Sequence, residues 1–229
     1  MINTNIIKKS GLKTLNAWKI KIGLDKFIVT PAHNIIYKPI NSDTYKPSPF
    51  VPEKYSTDWF VPDQYIKSPE YNLLYDLAWK PILNNSESIQ SEQINSEQIY
   101  KVNYFYFQPY DYNSIKVSKF NYSLGCGQTV IYKSPRDDND DNDNNDNNDN
   151  KNEYYEAIGM GFRGMSGAAI TNLKSNKFLG LFVRKIGNLG IKQDDSTIQT
   201  ETTGVSRGFI ISTKQIEKII YSSKSIKIL

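Results

Sequence analysis

Three segments of this chain carry side chains able to do covalent chemistry. The first is Ile28-Val29-Thr30-Pro31-Ala32-His33-Asn34, a strand-like run that ends in small residues and the only histidine. The second is Leu74-Tyr75-Asp76-Leu77-Ala78-Trp79, one carboxylate inside an apolar, strand-like stretch. The third is Gly161-Phe162-Arg163-Gly164-Met165-Ser166-Gly167-Ala168-Ala169-Ile170, a serine in a glycine-rich turn ahead of a strand. Singly, each has an ordinary reading: a surface histidine, an aspartate capping a turn or pairing with lysine, a chance glycine-serine string. Together they meet the needs of acyl transfer. A serine hydroxyl is a weak nucleophile until a neighbouring base takes its proton. His33 is the candidate base and Asp76 the carboxylate that orients it and stabilises the imidazolium. Glycines beside Ser166 let the chain turn so that the backbone N–H groups of Gly164 and Ser166 converge on a developing oxyanion. Asp58 and Asp63, both in a proline-rich stretch, are the alternative carboxylates.

The order and spacing of these residues resemble a known family. His33, Asp76 and Ser166 follow one another at intervals of 43 and 90 residues, in the His, Asp, Ser order of chymotrypsin-like (trypsin-fold) serine proteases. Thr30-Pro31-Ala32-His33 resembles the family's Thr-Ala-Ala-His, Asp76-Leu77-Ala78 its Asp-Ile-Ala, and Gly164-Met165-Ser166-Gly167 its Gly-Asp-Ser-Gly. Gly125-Cys126-Gly127 is similar to a Gly-Trp-Gly turn, and Leu179-Gly180-Leu181-Phe182 to the strand bordering the substrate cleft. The resemblance spans residues 17–222, with the C-terminal helix ending the chain as in the family. It implies an all-β chain of two six-stranded antiparallel β-barrels with a C-terminal α-helix. Residues 1–100 would form the barrel carrying His33 and Asp76, and residues 101–229 the barrel carrying Ser166. The implied activity is that of a serine endopeptidase working through an acyl-enzyme on a polypeptide substrate, itself among the candidates. No cofactor and no metal enter the chemistry.

Departures from the family pattern bear on activation and specificity. Secreted members carry an Asp before the nucleophile that pairs with a new N-terminal amine; here it is Met165, so that switch is not expected. Trypsins carry an Asp six residues before the serine, where this chain has Met160, so a preference for Arg or Lys is not expected. Met160 and Gly161, with a wall from Val183-Arg184-Lys185, form the candidate primary pocket, suited to an apolar or an acidic residue. Viral cysteine proteases of the same fold use Gly-x-Cys-Gly turns; Gly125-Cys126-Gly127 lacks the extra residue, and Cys126 is expected to be a buried structural thiol.

The elements that must position these residues read mostly as short strands. Residues 17–22 alternate with period two, residues 26–30 follow after a turn, and 104–107, 129–132 and 178–184 are rich in β-formers. Ser212-Thr213-Lys214-Gln215 has capping-box form, with Ile216, Ile219 and Ile220 on one face of a helix beyond it. Residues 39–69 are interrupted by prolines and expected to be loop, and residues 86–100 hold three near-copies of a Ser-Glu-x-Ile-x pentapeptide, read as an expanded connector.

Residues 137–150 are seven Asp and seven Asn, a composition that builds no core. Without those seven carboxylates the net charge of +4 becomes +11 on the rest of the chain. That balance raises nucleic acid as a partner, but the charge is dispersed lysine rather than clustered arginine, and nucleic acid is not an expected partner. The acidic tract is a candidate flap over the basic body. One cysteine excludes an internal disulfide, and one histidine with it excludes a zinc cluster. No apolar run approaches the roughly 18 residues a membrane span needs, and the first residues lack signal-peptide form. The expected location is intracellular: a cytoplasm, or a virus particle. The competing functional class is an inactive trypsin-fold binding or virion structural protein, although no member of the triad is lost.

Overall fold

The computed structural model describes residues 4–39, 42, 44–49, 51, 57–67, 73–83, 86–94, 100–109, 122–134, 155–161, 164–189 and 205–228. The Asp/Asn tract lies outside them. In chain order the elements are α1 (Thr4–Ser10), β1 (Gly11–Leu12), β2 (Ala17–Ile22), β3 (Asp25–Thr30), β4 (Ile36–Tyr37), β5 (Lys46–Pro47), β6 (Trp59–Pro62), α2 (Asp63–Lys67), β7 (Ala78–Pro81) and β8 (Ile89–Gln90). They continue with β9 (Tyr100–Pro109), β10 (Tyr122–Lys133), β11 (Tyr155–Ile158), β12 (Ala169–Asn172), β13 (Phe178–Leu189), β14 (Val205–Ser212), α3 (Thr213–Ser222) and β15 (Ser225–Ile228).

Six of these strands close an antiparallel barrel in the order β10-β11-β14-β13-β12-β9. Its interior holds Val102, Ile131, Tyr155, Met160, Met165, Ile170, Leu179 and Ile210. Long strands are possible here because residues 100–109 and 178–189 are free of proline except at Pro109, so every central residue can give and take ladder bonds.

Among the described residues the second barrel implied by the resemblance does not close. The N-terminal strands make an open seven-stranded sheet with the path β1-β2-β3-β7-β6-β15, and β8 pairs with β2 in parallel. The proline-rich stretch supplies only short strands. Pro47 and Pro62 end β5 and β6, and β6 meets β7 through one residue pair, Phe60 with Trp79. Proline gives no N–H to a ladder, so β5 and β6 stay short; the outer strands of the open sheet are β1 and β15, and these do not pair. Residues 39–69 are nevertheless not all loop: β5, β6 and α2 fall within them.

One further element departs from the sequence reading. The chain does not end with its helix; β15 follows α3 and returns to pair with β6, Ile226 opposite Val61. The first two copies of the pentapeptide in the connector form a strap. Ile89 of the first copy is buried with the β2–β3 core, and Ile94 of the second with the barrel core. Glu87 reaches Lys9, and Glu92 accepts from Asn172 Nδ2 and Ser175 Oγ at 2.9 Å each. These two copies thus repeat one physical pattern, an apolar anchor beside a carboxylate that finds a partner.

The sheet and the barrel share a core of Trp18, Ile20, Val29, Phe105, Phe107, Phe178, Phe209 and Ile211. Ile216 and Ile219 of α3 are buried in it, each contributing about 1.5–3 kcal/mol by leaving water. The helix begins as its sequence requires: the Ser212 hydroxyl accepts from the Gln215 N–H.

Candidate active site

His33 is placed by the end of β3. After Thr30, Pro31 fixes the backbone at φ −58° and the chain enters a single 3₁₀ turn, Ala32–Asn34. Ala32 is wholly buried under this turn, so the imidazole stands on a seated base. Asp76 is not inside a strand. It follows a 3₁₀ turn, Leu73–Tyr75, donating its N–H to Leu73 O at 3.2 Å, and β7 begins only at Ala78. The apolar residues that resemble a strand are its anchors: Leu74 and Leu77 are both buried and hold the carboxylate between them.

Both carboxylate oxygens of Asp76 face His33. Oδ2 lies 2.7 Å from His33 Nδ1, and Oδ1 accepts from the His33 backbone N–H at 3.1 Å. The residue is 3% exposed, while the imidazole is about one third exposed at the cleft. A carboxylate only accepts hydrogen bonds, so Nδ1 carries the ring proton and Nε2 presents a lone pair. Facing that lone pair, at 2.5 Å, is Ser166 Oγ. The structure therefore brings together three residues, two of them from segments 43 and 133 positions away from His33.

The loop bearing Ser166 runs between two glycines in the left-handed region, Gly164 at φ 89° and Gly167 at φ 84°. Met165 is wholly buried and pins the loop into the barrel. Gly167 N–H donates to Phe182 O and Ala168 N–H to Met165 O, both at 2.8 Å, leading directly into β12.

Two residues that sequence reading did not find also reach this loop. Trp18 Nε1–H donates to Gly167 O at 2.7 Å, and Asn16 Nδ2 donates to Gly164 O at 2.8 Å. Nothing local in the sequence signals these contacts, because donor and acceptor stand 148 or more residues apart.

The remaining candidates fall as follows. Met160 and Val183 are enclosed, and Arg184 and Lys185 are exposed. Met160 Cβ and the Phe182 ring border Gly208, while the Lys185 stem lies over Gly161 at φ 141°. Asp58 pairs with Lys227 at 2.8 Å on the surface, the lysine holding its carboxyl below the usual range, and Asp63 opens α2 beside Lys224. Neither meets His33. The expected burial of Cys126 is overturned: the thiol is exposed, and Gly125-Cys126-Gly127 lies within β10 rather than in a turn. Residue by residue, β10 pairs with β11 only at 131–133, so its stretch from 122 to 130 has a described strand on one side only. The two glycines serve packing instead, lying opposite Tyr106 and Tyr104, whose rings occupy the space a Cβ would fill.

Tyr65 lies close enough to Asp76 to feel its charge. Burial, with that charge added, holds its phenol well above the usual range, and Arg184 opposes the shift. Among the described residues no three His, Cys, Asp or Glu side chains gather as a metal site would require, and no helix is long and apolar enough to cross a membrane.

No protein-family model and no curated protein matches the sequence. Among solved structures, the chain is similar to a Glu endopeptidase, at 14% identity over 97% of this chain and 94% of that one, with a TM-score of 0.46. It is also similar to a mutant of the tobacco etch virus protease, at 7% identity over 88% and 71%, TM-score 0.41. A third is the HtrA-type protease AlgW, at 14% identity over 86% and 48%, TM-score 0.38.

Proposed function

We propose that the protein is a serine endopeptidase in which Ser166 is the nucleophile, His33 the general base and acid, and Asp76 the residue that orients it. One observation carries this reading: the two contacts in series, Ser166 Oγ to His33 Nε2 at 2.5 Å and His33 Nδ1 to Asp76 Oδ2 at 2.7 Å. A lone hydroxyl beside an imidazole is common on protein surfaces. One whose imidazole is fixed in ring orientation and tautomer by a buried carboxylate is an activated nucleophile.

In the first half-reaction Ser166 Oγ attacks the scissile carbonyl carbon and its proton passes to His33 Nε2. The carbonyl oxygen becomes an oxyanion, held by the N–H groups of Gly164 and Ser166. The imidazolium, stabilised by Asp76, then gives its proton to the leaving amine as the C–N bond breaks, and an acyl-Ser166 ester remains. In the second half-reaction water gives its proton to Nε2 and attacks the ester, and the proton returns to Ser166 Oγ as the acid leaves. Each half-reaction makes one bond to the carbonyl carbon and breaks one, and His33 ends each as it began, so the chemistry balances with no cofactor.

Residues 1–100 and 101–229 act in this reading as the halves that supply base and nucleophile. Met160, Gly161, Val183, Arg184 and Lys185 border the site of the substrate residue before the cut. Incubation with unfolded casein tests the activity. Wild type is expected to fragment it and Ser166→Ala to leave it intact; equal fragmentation by both would overturn the assignment. The same comparison, read by the mass of the protein itself, tests self-processing.

A further inference from the structure

The loop carrying Ser166 has no charged residue at Met165 to fix it, and its polar groups are held by neutral side chains from the opposite sheet. The centre of that arrangement is Asn16. It stands in the turn before β2 with left-handed backbone, φ 44° and ψ 47°, a conformation that asparagine tolerates better than most residues. It is buried, and its amide bridges two strangers in sequence. Nδ2 donates to Gly164 O at 2.8 Å, and Oδ1 accepts from the Phe107 N–H of β9 at 2.6 Å. The orientation is unambiguous, because turning the amide over would set donor against donor and acceptor against acceptor. The backbone oxygen of Asn16 also abuts Gly167, leaving no room there for a Cβ.

The segment leading into Asn16 is tied to the histidine. Thr30 Oγ1 and Asn34 Nδ2 both donate to Leu15 O, at 3.0 and 3.1 Å, and these two residues flank His33 in the chain. Hydrogen bonds from the residues around the base thus converge on Leu15, and those of the next residue in the chain, Asn16, reach Gly164 in the loop that bears the nucleophile.

We propose that Asn16 is a positioning residue for the oxyanion donors, setting the Gly164–Met165 peptide that lies between the Gly164 and Ser166 N–H groups. This deepens the serine-hydrolase reading and rests on it. Rotation of that peptide changes the angle between the two donors, and Gly164, lacking a Cβ, offers little resistance of its own. Oxyanion stabilisation depends on donors already aimed at the developing charge, and loss of one donor costs about 10²–10³ in rate. A misaimed pair is expected to cost about 10²-fold, the scale of a 1 Å misplacement.

The test is the second-order rate of labelling by a fluorophosphonate, which forms a bond to an activated serine and needs no knowledge of the natural substrate. Asn16→Gly keeps the left-handed backbone without strain and removes both side-chain bonds. Asn16→Asp, measured from pH 7 to 9, keeps the acceptor for Phe107 and removes the donor for Gly164. Both are expected to label about 10²-fold more slowly than wild type, and the uncharged variant Asn16→Gly, measured from pH 5 to 9, is expected to leave the acid limb of the pH–rate profile unmoved, because Asn16 does not touch His33. Labelling within threefold of wild type by either folded variant would overturn the role, and so would a displaced acid limb in Asn16→Gly, which would mean the residue acts through the base. If Asn16→Asp does not fold, Asn16→Gly alone decides. No labelling of folded wild type would instead overturn the serine-hydrolase reading, and the role of Asn16 with it.

Discussion

Replacing Asp76 by asparagine changes one atom and, on this geometry, most of the chemistry. The carboxylate is 3% exposed and makes two bonds to His33: one to the backbone N–H and one to Nδ1. The backbone N–H is a fixed donor, so in Asp76→Asn the amide oxygen must stay on it. The amide NH₂ is then left against Nδ1. Two donors cannot face each other, so the ring adopts the other tautomer, with Nδ1 accepting and Nε2 carrying the proton. Ser166 Oγ then meets an N–H where it needs a lone pair. A base held in the wrong tautomer costs about 10⁴ in rate, or about 5.4 kcal/mol of transition-state stabilisation. Because shape and the backbone bond persist, the fold should be retained, and circular dichroism with urea unfolding should give a stability near that of wild type. The assay is again the second-order rate of fluorophosphonate labelling. A folded Asp76→Asn protein labelling within tenfold of wild type would refute the reasoning, since the carboxylate would then not be setting the tautomer.

Three further outcomes follow from the packing. Trp18→Phe keeps the stack on Phe107, now with ring centroids 5.3 Å apart, but leaves the Gly167 carbonyl buried without its donor; urea unfolding should show a loss of about 1–3 kcal/mol. Ile89→Ala in the strap empties a buried site and should cost about 2–5 kcal/mol, whereas Leu83→Ala, at a fully exposed leucine, should stay within about 0.5 kcal/mol. Tyr65 should remain protonated through the range where ordinary tyrosines ionise, near pH 10. Its folded-state value is raised, so its contribution to stability is complete below the unfolded value and is lost as pH rises towards the folded one. Alkaline absorbance titration of wild type against Tyr65→Phe should therefore show no difference until the protein unfolds.

How far the sequence could be read depended on whether a feature was local. β2 alternates with period two and β3 follows it after a turn, and the α3 cap follows from Ser212 and Gln215, so these were legible. His33, Asp76 and Ser166 were legible as residue types in an order, and the structure sets them within hydrogen-bonding distance in series. The setting of Asp76 was not, because apolar neighbours that anchor a turn carry the same pattern as a half-buried strand. The open sheet, β15 and the strap depend on which edges find each other across the chain, and no window of sequence holds that information. Cys126 misled for the same reason: its burial depended on whether a neighbouring strand covers that part of β10. Asn16 and Trp18 act on glycines 148 and 149 residues away, through contacts that exist only once the sheet meets the barrel.

The most direct measurement is to react the protein with a fluorophosphonate and locate the adduct by peptide mass spectrometry. Wild type is expected to carry a single adduct, on Ser166, that His33→Ala abolishes, as the Ser166–His33–Asp76 series requires. An adduct elsewhere, or none in a protein that is demonstrably folded, would contradict it.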